Sequence, residues 1–293
     1  MKKADNIFQV ILTIFFIILA AIWILPFLIT LSVSFSSEKD IVYEGYKLIP
    51  KNIDFSAYRF VFSNPMSILQ AYKVTFIFSF TSMVLGTLLI ALLAYPLTRK
   101  EFKARKFLNL FVYLTMLFSG GLVPSYILIT RFLHLGDTIW VYILPSLINV
   151  WYVFMIRSFF SDIPEAIYES ARIDGANEFV IFFRIVLPLS KPALATVALF
   201  TFLGKWNDWF TSMLYINDQS LISLQYLLQR IMNNIKILQE GAGLMGLGME
   251  AIETPSETAR MAMAVVVAGP ALLVFPFFQK YFVKGLTLGS VKG

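Results

Sequence analysis

The 293-residue sequence contains no cysteine and one histidine, His134. Without cysteine there are no disulfides, no thiol nucleophile and no cysteine-ligated zinc, so a metal site would have to be built from carboxylates. His134 sits in a short loop with no second histidine nearby and reads as a plain surface residue. Charge is scarce too: Asp, Glu, Lys and Arg make up 14% of the chain against 58% hydrophobic residues, and mean hydropathy is +0.74. So few polar side chains cannot cover a soluble globule of this size, and the chain is expected to lie in a membrane. The formal charge of +6 is scattered between apolar segments, which argues against nucleic acid as a partner. No GxxxxGK[ST] phosphate loop is present, since Gly204-Lys205 lacks both the upstream glycine and the Ser/Thr. HExxH, GxSxG and a paired intramembrane Asp are missing as well, so nothing points to an enzyme.

What the chain does have is long apolar runs. About 20 such residues cross the hydrocarbon core, and six stretches qualify: 7–35, 72–97, 107–130, 138–157, 193–216 and 258–282. The first follows Met1-Lys2-Lys3 but is too long for a cleaved signal sequence, whose apolar core is roughly 7–15 residues. It is expected to remain as a first transmembrane helix. Six spans place both termini on one side. That side carries Lys2, Lys3, Lys280, Lys284 and Lys292 at the ends, Arg99 to Lys106 in one loop, and Arg157, Arg172, Arg184 and Lys191 around another. The other face has an acidic excess, including Glu38, Asp40, Glu44, Asp54, Asp137 and Asp218. Positive-inside therefore predicts cytoplasmic termini, with the 98–106 and 158–192 loops also inside. The whole of 1–293 reads as a single transmembrane domain.

Two external segments, 36–71 and 217–257, are longer than turns and are expected to be functional or mobile. Within the second, Gly241-x-Gly243-x-x-Gly246 has dinucleotide-fingerprint spacing but follows no strand, so it reads as a flexible loop. The third span is interrupted by Ser119-Gly120-Gly121 and Pro124, which predicts a kink or local unwinding; such a break either lines a cavity or serves packing.

The most informative segment is the polar island 158–192, SFFSDIPEAIYESARIDGANEFVIFFRIVLPLSKP. Pro164 after Asp162 starts a helix that runs to about Asp174, where Gly175 breaks it. At 1.5 Å per residue this is an arm of about 16 Å. Ile163, Ala166, Ile167, Ser170 and Ala171 recur at helical spacing as a narrow stripe of small to apolar side chains that lets another backbone approach. A second short helix, Asn177 to about Phe183, turns back, and Pro188 and Pro192 bracket the start of the fifth span. Glu165 and Glu169 lie four apart, where like charges cost roughly 0.2–0.5 kcal/mol, and Arg172 can pair well with only one of them. A basic partner surface follows. The bland alternative is an amphipathic helix lying at the lipid interface, but the arm has neither a bulky Trp/Leu face nor a Lys-rich edge.

Glu169-Ser170-Ala171, Gly175 and Ile185-x-Leu187-Pro188 together resemble the EAA loop of ABC importer permeases, in its sugar-importer form, with Ser170 in place of the usual first alanine. Gln279 to Thr287 and Val291-Lys292-Gly293 resemble the end of the MalG-like permeases. Phe118 to Pro124 and Gly204-Lys205-Trp206-Asn207-Asp208-Trp209 are similar to the LplC/alginate-importer sub-branch. The similarity covers the chain from about residue 70 onward. It implies an all-α fold of six transmembrane helices with a cytoplasmic helix-turn-helix coupling loop, the type I ABC importer permease fold. It also implies a place in the bacterial cytoplasmic membrane, a heterodimer with a second, related permease, an extracytoplasmic sugar-binding protein, and two ATPases of the MsmX or MalK kind. No cofactor is expected on this chain itself; ATP and Mg would be bound by those ATPases. Within the loop, Glu165, Glu169, Ser170, Ala171, Asp174 and Gly175 would belong to the part that meets the ATPase, and Ile185, Leu187 and Pro188 would anchor the arm to the fifth span.

Polar groups inside an apolar span are costly and need protein or water beside them. Lys205, Trp206, Asn207, Asp208 and Trp209 fall near the expected middle of the fifth span. Lys205 and Asp208 can neutralise one another at three-residue spacing, as a structural pair or as part of a pathway. Trp206, Asn207 and Trp209 have the character of a saccharide site, an aromatic face with an amide, although tryptophan in a membrane helix more often serves packing or anchors at the interface. Asn149, Tyr152 and Lys73 are further candidates of the same type. The reading is an oligosaccharide importer permease; its rivals are an ABC importer permease for a non-sugar solute and an ion-coupled secondary carrier.

Overall fold

A computed structural model describes residues 2–244 and 256–289. Among the described residues there is no strand; an isolated antiparallel bridge joins Ser36 to Ile53. In chain order the helices are α1 (Lys2–Ser34), α2 (Glu38–Glu44), α3 (Ser56–Val61), α4 (Pro65–Thr98), α5 (Arg105–Leu117), α6 (Leu122–Ile127), α7 (Trp140–Ile143), α8 (Val150–Ser161), α9 (Glu165–Ile173), α10 (Glu178–Ile181), α11 (Leu187–Leu189), α12 (Lys191–Trp206), α13 (Phe210–Tyr215), α14 (Leu224–Leu244) and α15 (Glu257–Gly289). In hydrocarbon every backbone N–H and C=O must be satisfied within its own segment, which is why apolar runs of this length fold as helices.

Three helices are long and apolar enough to cross a bilayer unbroken: Phe8–Ser34 in α1, Pro65–Thr98, and Glu257–Gln279 in α15. Three more stretches pass the same test only as bent pairs. Arg105–Leu117 with Leu122–Phe132 bends by 110°, Trp140–Ser146 with Val150–Ser161 by 53°, and Glu178–Leu189 with Lys191–Trp206 by 79°. The first bend falls at the Ser119-Gly120-Gly121 interruption. The fifth apolar run departs from expectation: α12 stops at Trp206 and α13 is a separate short helix, so 193–216 is not one rod. Asp208 accounts for the stop, because its carboxylate accepts from the Thr211 N–H and its carbonyl from the Ser223 hydroxyl. It organises a turn where a helix would otherwise continue.

By packing, the chain forms two compact units, Met1–Met66 with Leu228–Pro270 and Ser67–Leu227 with Ala271–Gly293. In the first, the 36–71 segment is ordered by specific contacts instead of being a bare loop. Phe35 meets Phe55 edge-on and lies tilted against Tyr58, the Ser34 and Tyr58 hydroxyls lie 2.9 Å apart, and Ser32 donates to the Lys47 carbonyl. Glu38, 6% exposed, accepts from the Ser256 and Thr258 hydroxyls and from the backbone N–H groups of Glu257 and Thr258. Its carboxylate thereby closes the first turn of α15 from a distant part of the sequence. About half of the expected loop 217–257 is the helix α14, which absorbs Gly241 and Gly243; Gly246 lies outside the described residues, as does Val291 to Gly293 of the tail.

The second unit is built around α4. One half of that helix packs Val74 and Phe78 against Val141, Tyr142 and Ile143 of α7 and against Ile216 and Ile222. Phe78 and Tyr142 stack with centroids 4.3 Å apart. Its other half carries Ile90, Ala94, Tyr95 and Leu97 into a cluster with Val153, Ile156 and Phe160 of α8, with Tyr168, Ala171, Ile181 and Phe182, and with Ala193 and Val197 of α12. Between the halves, a Cβ on Gly86 would lie 2.9 Å from the Leu147 carbonyl oxygen. Glycine there lets α4 pass close against the break between α7 and α8.

Candidate functional site

The 158–192 island is a helical arm seated on the second unit. Pro164 directly precedes α9, and the helix closes with a Schellman arrangement: Ala176 N–H donates to the Ala171 carbonyl and Gly175 N–H to that of Arg172. Gly175 has φ +79°, a conformation an L side chain rarely adopts. Asn177 then caps α10 by accepting from the Val180 N–H, and the chain continues through a π-helical turn, Phe182–Val186, into α11. The returning helix is therefore longer than the expected Asn177–Phe183.

The rotation of α9 is set by a ring that the stripe of small residues did not include. Tyr168 is 2% exposed, packs in the cluster that holds Phe160 and Phe182, and donates to the Phe160 carbonyl. With Tyr168 inside, Ala171 is buried as well and Ile163 packs on the same core, whereas Ala166 and Ser170 are exposed. The expected stripe is thus divided between an inner and an outer face. Ala171 serves the chain's own core. Glu169, Ser170, Asp174 and Gly175 stay exposed, joined by Ile173 at 86% exposure and by Phe179, two apolar groups the sequence reading passed over. Ile185 and Leu187 pack on the core, while Pro188 is exposed.

The ion pairs also differ from expectation. Arg172 pairs with Glu101 at 3.4 Å and Glu178 at 3.2 Å, with neither Glu165 nor Glu169. Glu165 pairs instead with Arg99 at 3.3 Å. Among the described residues Glu169 makes no ion pair, so its charge is left facing outward. A peptide hydrogen bond of its own, together with Arg99 and Arg172, holds the Glu101 carboxyl below the usual carboxylate range despite some desolvation. Arg99 and Glu101 stand in the basic 98–106 loop, where sequence offers only the positive-inside signal.

A second feature lies within the spans. A cavity of about 260 Å³ is lined by Ser146, Asn149, Tyr152, Thr201, Lys205 and Asp208 among others. It brings together three of the candidate path residues: Asn149, which also caps α8 by accepting from the Trp151 N–H, Tyr152 and Asp208. Lys205 is 8% exposed and donates to the Tyr142 carbonyl and the Ser146 hydroxyl; no ion pair joins it to Asp208 among the described residues. The break between α7 and α8 frees these acceptors, which is what lets a lysine sit there. Thr201 is a further wall residue, and its buried hydroxyl has no protein partner. Trp206, Asn207 and Trp209 are elsewhere. Trp206 is buried against Phe202 and Tyr72, Asn207 accepts from Gln225, and Trp209 packs edge-on to Phe210. Lys73 is exposed on α4.

No family model matches the chain. Comparison with individual proteins is decisive: it is 40% identical over 292 residues to the polygalacturonan/rhamnogalacturonan transport system permease protein YtcP of Bacillus subtilis, covering 99% of both chains. The chain belongs to the carbohydrate ABC transporter permeases. Such a permease is a transport subunit, not an enzyme. Protein LplC of B. subtilis is 38% identical over 291 residues, covering 99% of this permease and 97% of LplC. The permease also matches a chain in the crystal structure of a bacterial ABC transporter involved in the import of the acidic polysaccharide alginate, with TM-score 0.78 and 28% identity over 95% of this chain and 98% of the other. The membrane location and the sub-branch resemblance carried by 118–124 and 204–209 agree with these relatives.

Proposed function

We propose that this permease imports an oligosaccharide as one half of a heterodimer, with a second homologous permease, an extracytoplasmic sugar-binding protein and two MsmX/MalK-like ATPases. The permease is read as a single domain of six spans, three of them bent, with both termini and the arm in the cytoplasm. The observation that carries the reading is the two-sidedness of the arm. Tyr168 and Ala171 root it in the permease, while Glu169, Ser170, Ile173 and Asp174 are left for a partner. ATP-driven closure of the ATPase pair would bring the two arms together and turn the permease outward-facing; hydrolysis would reset it. ATP and Mg stay on the ATPases throughout.

The cavity walled by Asn149, Tyr152, Thr201 and Asp208 supports a place on the saccharide path, since it offers hydroxyl-binding groups beside an aromatic ring. Trp206 supports the fold around it by packing. The test is co-expression with the neighbouring subunits, purification into lipid, and ATPase assay with binding proteins loaded with neutral and uronic-acid oligosaccharides, comparing wild type with Glu169→Lys. One loaded binding protein is expected to stimulate hydrolysis, and the substitution to detach or uncouple the ATPase. Transport that follows an ion gradient with no ATPase attached would sink the reading.

A further inference from the structure

A chain of charges runs along the base of the arm. Arg99, one residue beyond α4, has a side chain only 8% exposed, yet it meets Glu165 of α9 at 3.3 Å and Glu101 at 3.6 Å. Its guanidinium carbon also lies 3.9 Å from the centroid of the Tyr168 ring. Glu101 continues the chain to Arg172, Arg172 to Glu178, and Glu178 accepts from the Tyr95 hydroxyl on α4. Both ends of this chain are thus fixed to the same end of α4, and its middle holds both helices of the arm. Beside it lies a cavity of about 400 Å³ with an apolar wall that includes Leu92, Phe102 and Phe182.

The apolar contacts of Tyr168 and Ala171 decide which face of α9 turns inward and resist its separation from the permease, but dispersion and burial are non-directional and do not by themselves transmit a displacement along the helix. A guanidinium that lies over one ring and meets two carboxylates through its Nη2 is directional. The neighbouring cavity means that close packing does not supply the restraint in its place. Ile90 of α4, nine residues before Arg99, lines the cavity within the spans. A rigid link at Arg99 therefore joins arm displacement to the helix that shapes that cavity.

We propose that Arg99 is a positioning residue for transport: by holding Glu165 and Tyr168 it locks α9 to α4, so that a push on the arm moves α4 with it. Glu165 accordingly acts inside this chain and not on the ATPase. The inference rests on the reading of 158–192 as the ATPase-facing arm.

The test uses the complete transporter in lipid vesicles with its loaded binding protein. Saccharide transported per ATP hydrolysed is measured alongside ATPase co-purification and melting temperature for Arg99→Lys, Glu165→Gln, their double variant and Glu169→Lys. Arg99→Lys keeps the charge and loses the planar group over Tyr168, and Glu165→Gln alters only a half-exposed carboxylate, so both are expected to fold. The ATPases should co-purify with Arg99→Lys as with wild type, while transport per ATP falls about tenfold, within the range of coupling energies between linked sites. The double variant should be no worse than the poorer single one, because both remove the same link. Unchanged transport per ATP, additive losses, or losses that merely follow melting temperature or ATPase yield would overturn the proposal while Glu169→Lys still detached the ATPase. If Glu169→Lys leaves the complex and its coupling intact, the arm reading itself falls, and the role of Arg99 with it.

Discussion

Glu38 and Arg99 each bury a charge near the end of a long helix, and they meet different kinds of partner. Glu38 is held by neutral donors: two backbone N–H groups and the hydroxyls of Ser256 and Thr258. Arg99 is held by Glu165 and Glu101, whose side chains are 49% and 55% exposed, and by the face of Tyr168. Donors fixed to a helix terminus cannot leave without unwinding it. Half-exposed carboxylates stay within reach of water, but the guanidinium they hold is 8% exposed and would be left as a buried charge without them. One arrangement staples a helix terminus shut and the other ties two segments together, which suits a connecting segment in the first case and an arm that moves with its helix in the second.

The comparison breaks most directly at Glu38. Glu38→Ala leaves four donors without their acceptor and is expected to cost on the order of 3 kcal/mol, read by denaturant unfolding in micelles. A loss below about 1 kcal/mol would mean that water replaces the carboxylate and the staple is no firmer than the link. Acid sharpens the same point. Burial pushes the Glu38 carboxyl up, but the hydrogen bonds from Thr258, Glu257 and Ser256 together outweigh it and hold its pKa below the ordinary 4.5. A depressed folded pKa gives stability that is complete above the unfolded value and is lost as pH falls through the folded one. Wild-type stability should therefore fall as pH drops below 4.5, and Glu38→Gln should flatten that decline. An equal slope in both proteins would remove Glu38 as its cause.

Smaller effects test the arm. Gly175→Ala forces a side chain into φ +79° and should cost about 1 kcal/mol while lowering ATPase co-purification. An unchanged yield of complex would show that the turn tolerates another conformation. Tyr95→Phe deletes the hydroxyl that donates to Glu178, and about 0.5 kcal/mol or less is expected, since water can take its place at a half-exposed carboxylate. A loss as large as that of Glu38→Ala would mean the link is as rigid as the staple.

Much of this was legible before any coordinates. Run lengths gave α1, α4 and α15, and Pro164, Gly175 and Asn177 gave the arm and its turn, because each of those signals acts within a few residues of where it stands. The face of α9 was not legible. Ala166, Ser170 and Ala171 look equivalent by spacing, and the choice among them follows from where the Tyr168 ring finds a cavity between α4 and α8. Trp206 and Asn149 make the same point in the membrane. A tryptophan beside an asparagine and an aspartate suggests a sugar site, yet Trp206 fills a gap near Tyr72 and Phe202, while Asn149 and Tyr152 reach the cavity from another helix.

α1 and α4 show where the division falls. Both are long uninterrupted apolar helices, but none of the apolar stretch of α1 is buried, against 33% of that of α4. Sequence determined that each is a helix able to span the membrane, because a helix is the one way for a single long apolar run to satisfy its own backbone hydrogen bonds in hydrocarbon. It also determined that a polar, helical arm interrupts the apolar runs at 158–192. Only the tertiary structure decided which α4 side chains are covered, which carboxylate Arg99 holds, and that Lys205 turns to the broken end of α7 instead of to Asp208. Those choices depend on atoms brought together from distant parts of the chain, and no periodicity within one segment records them.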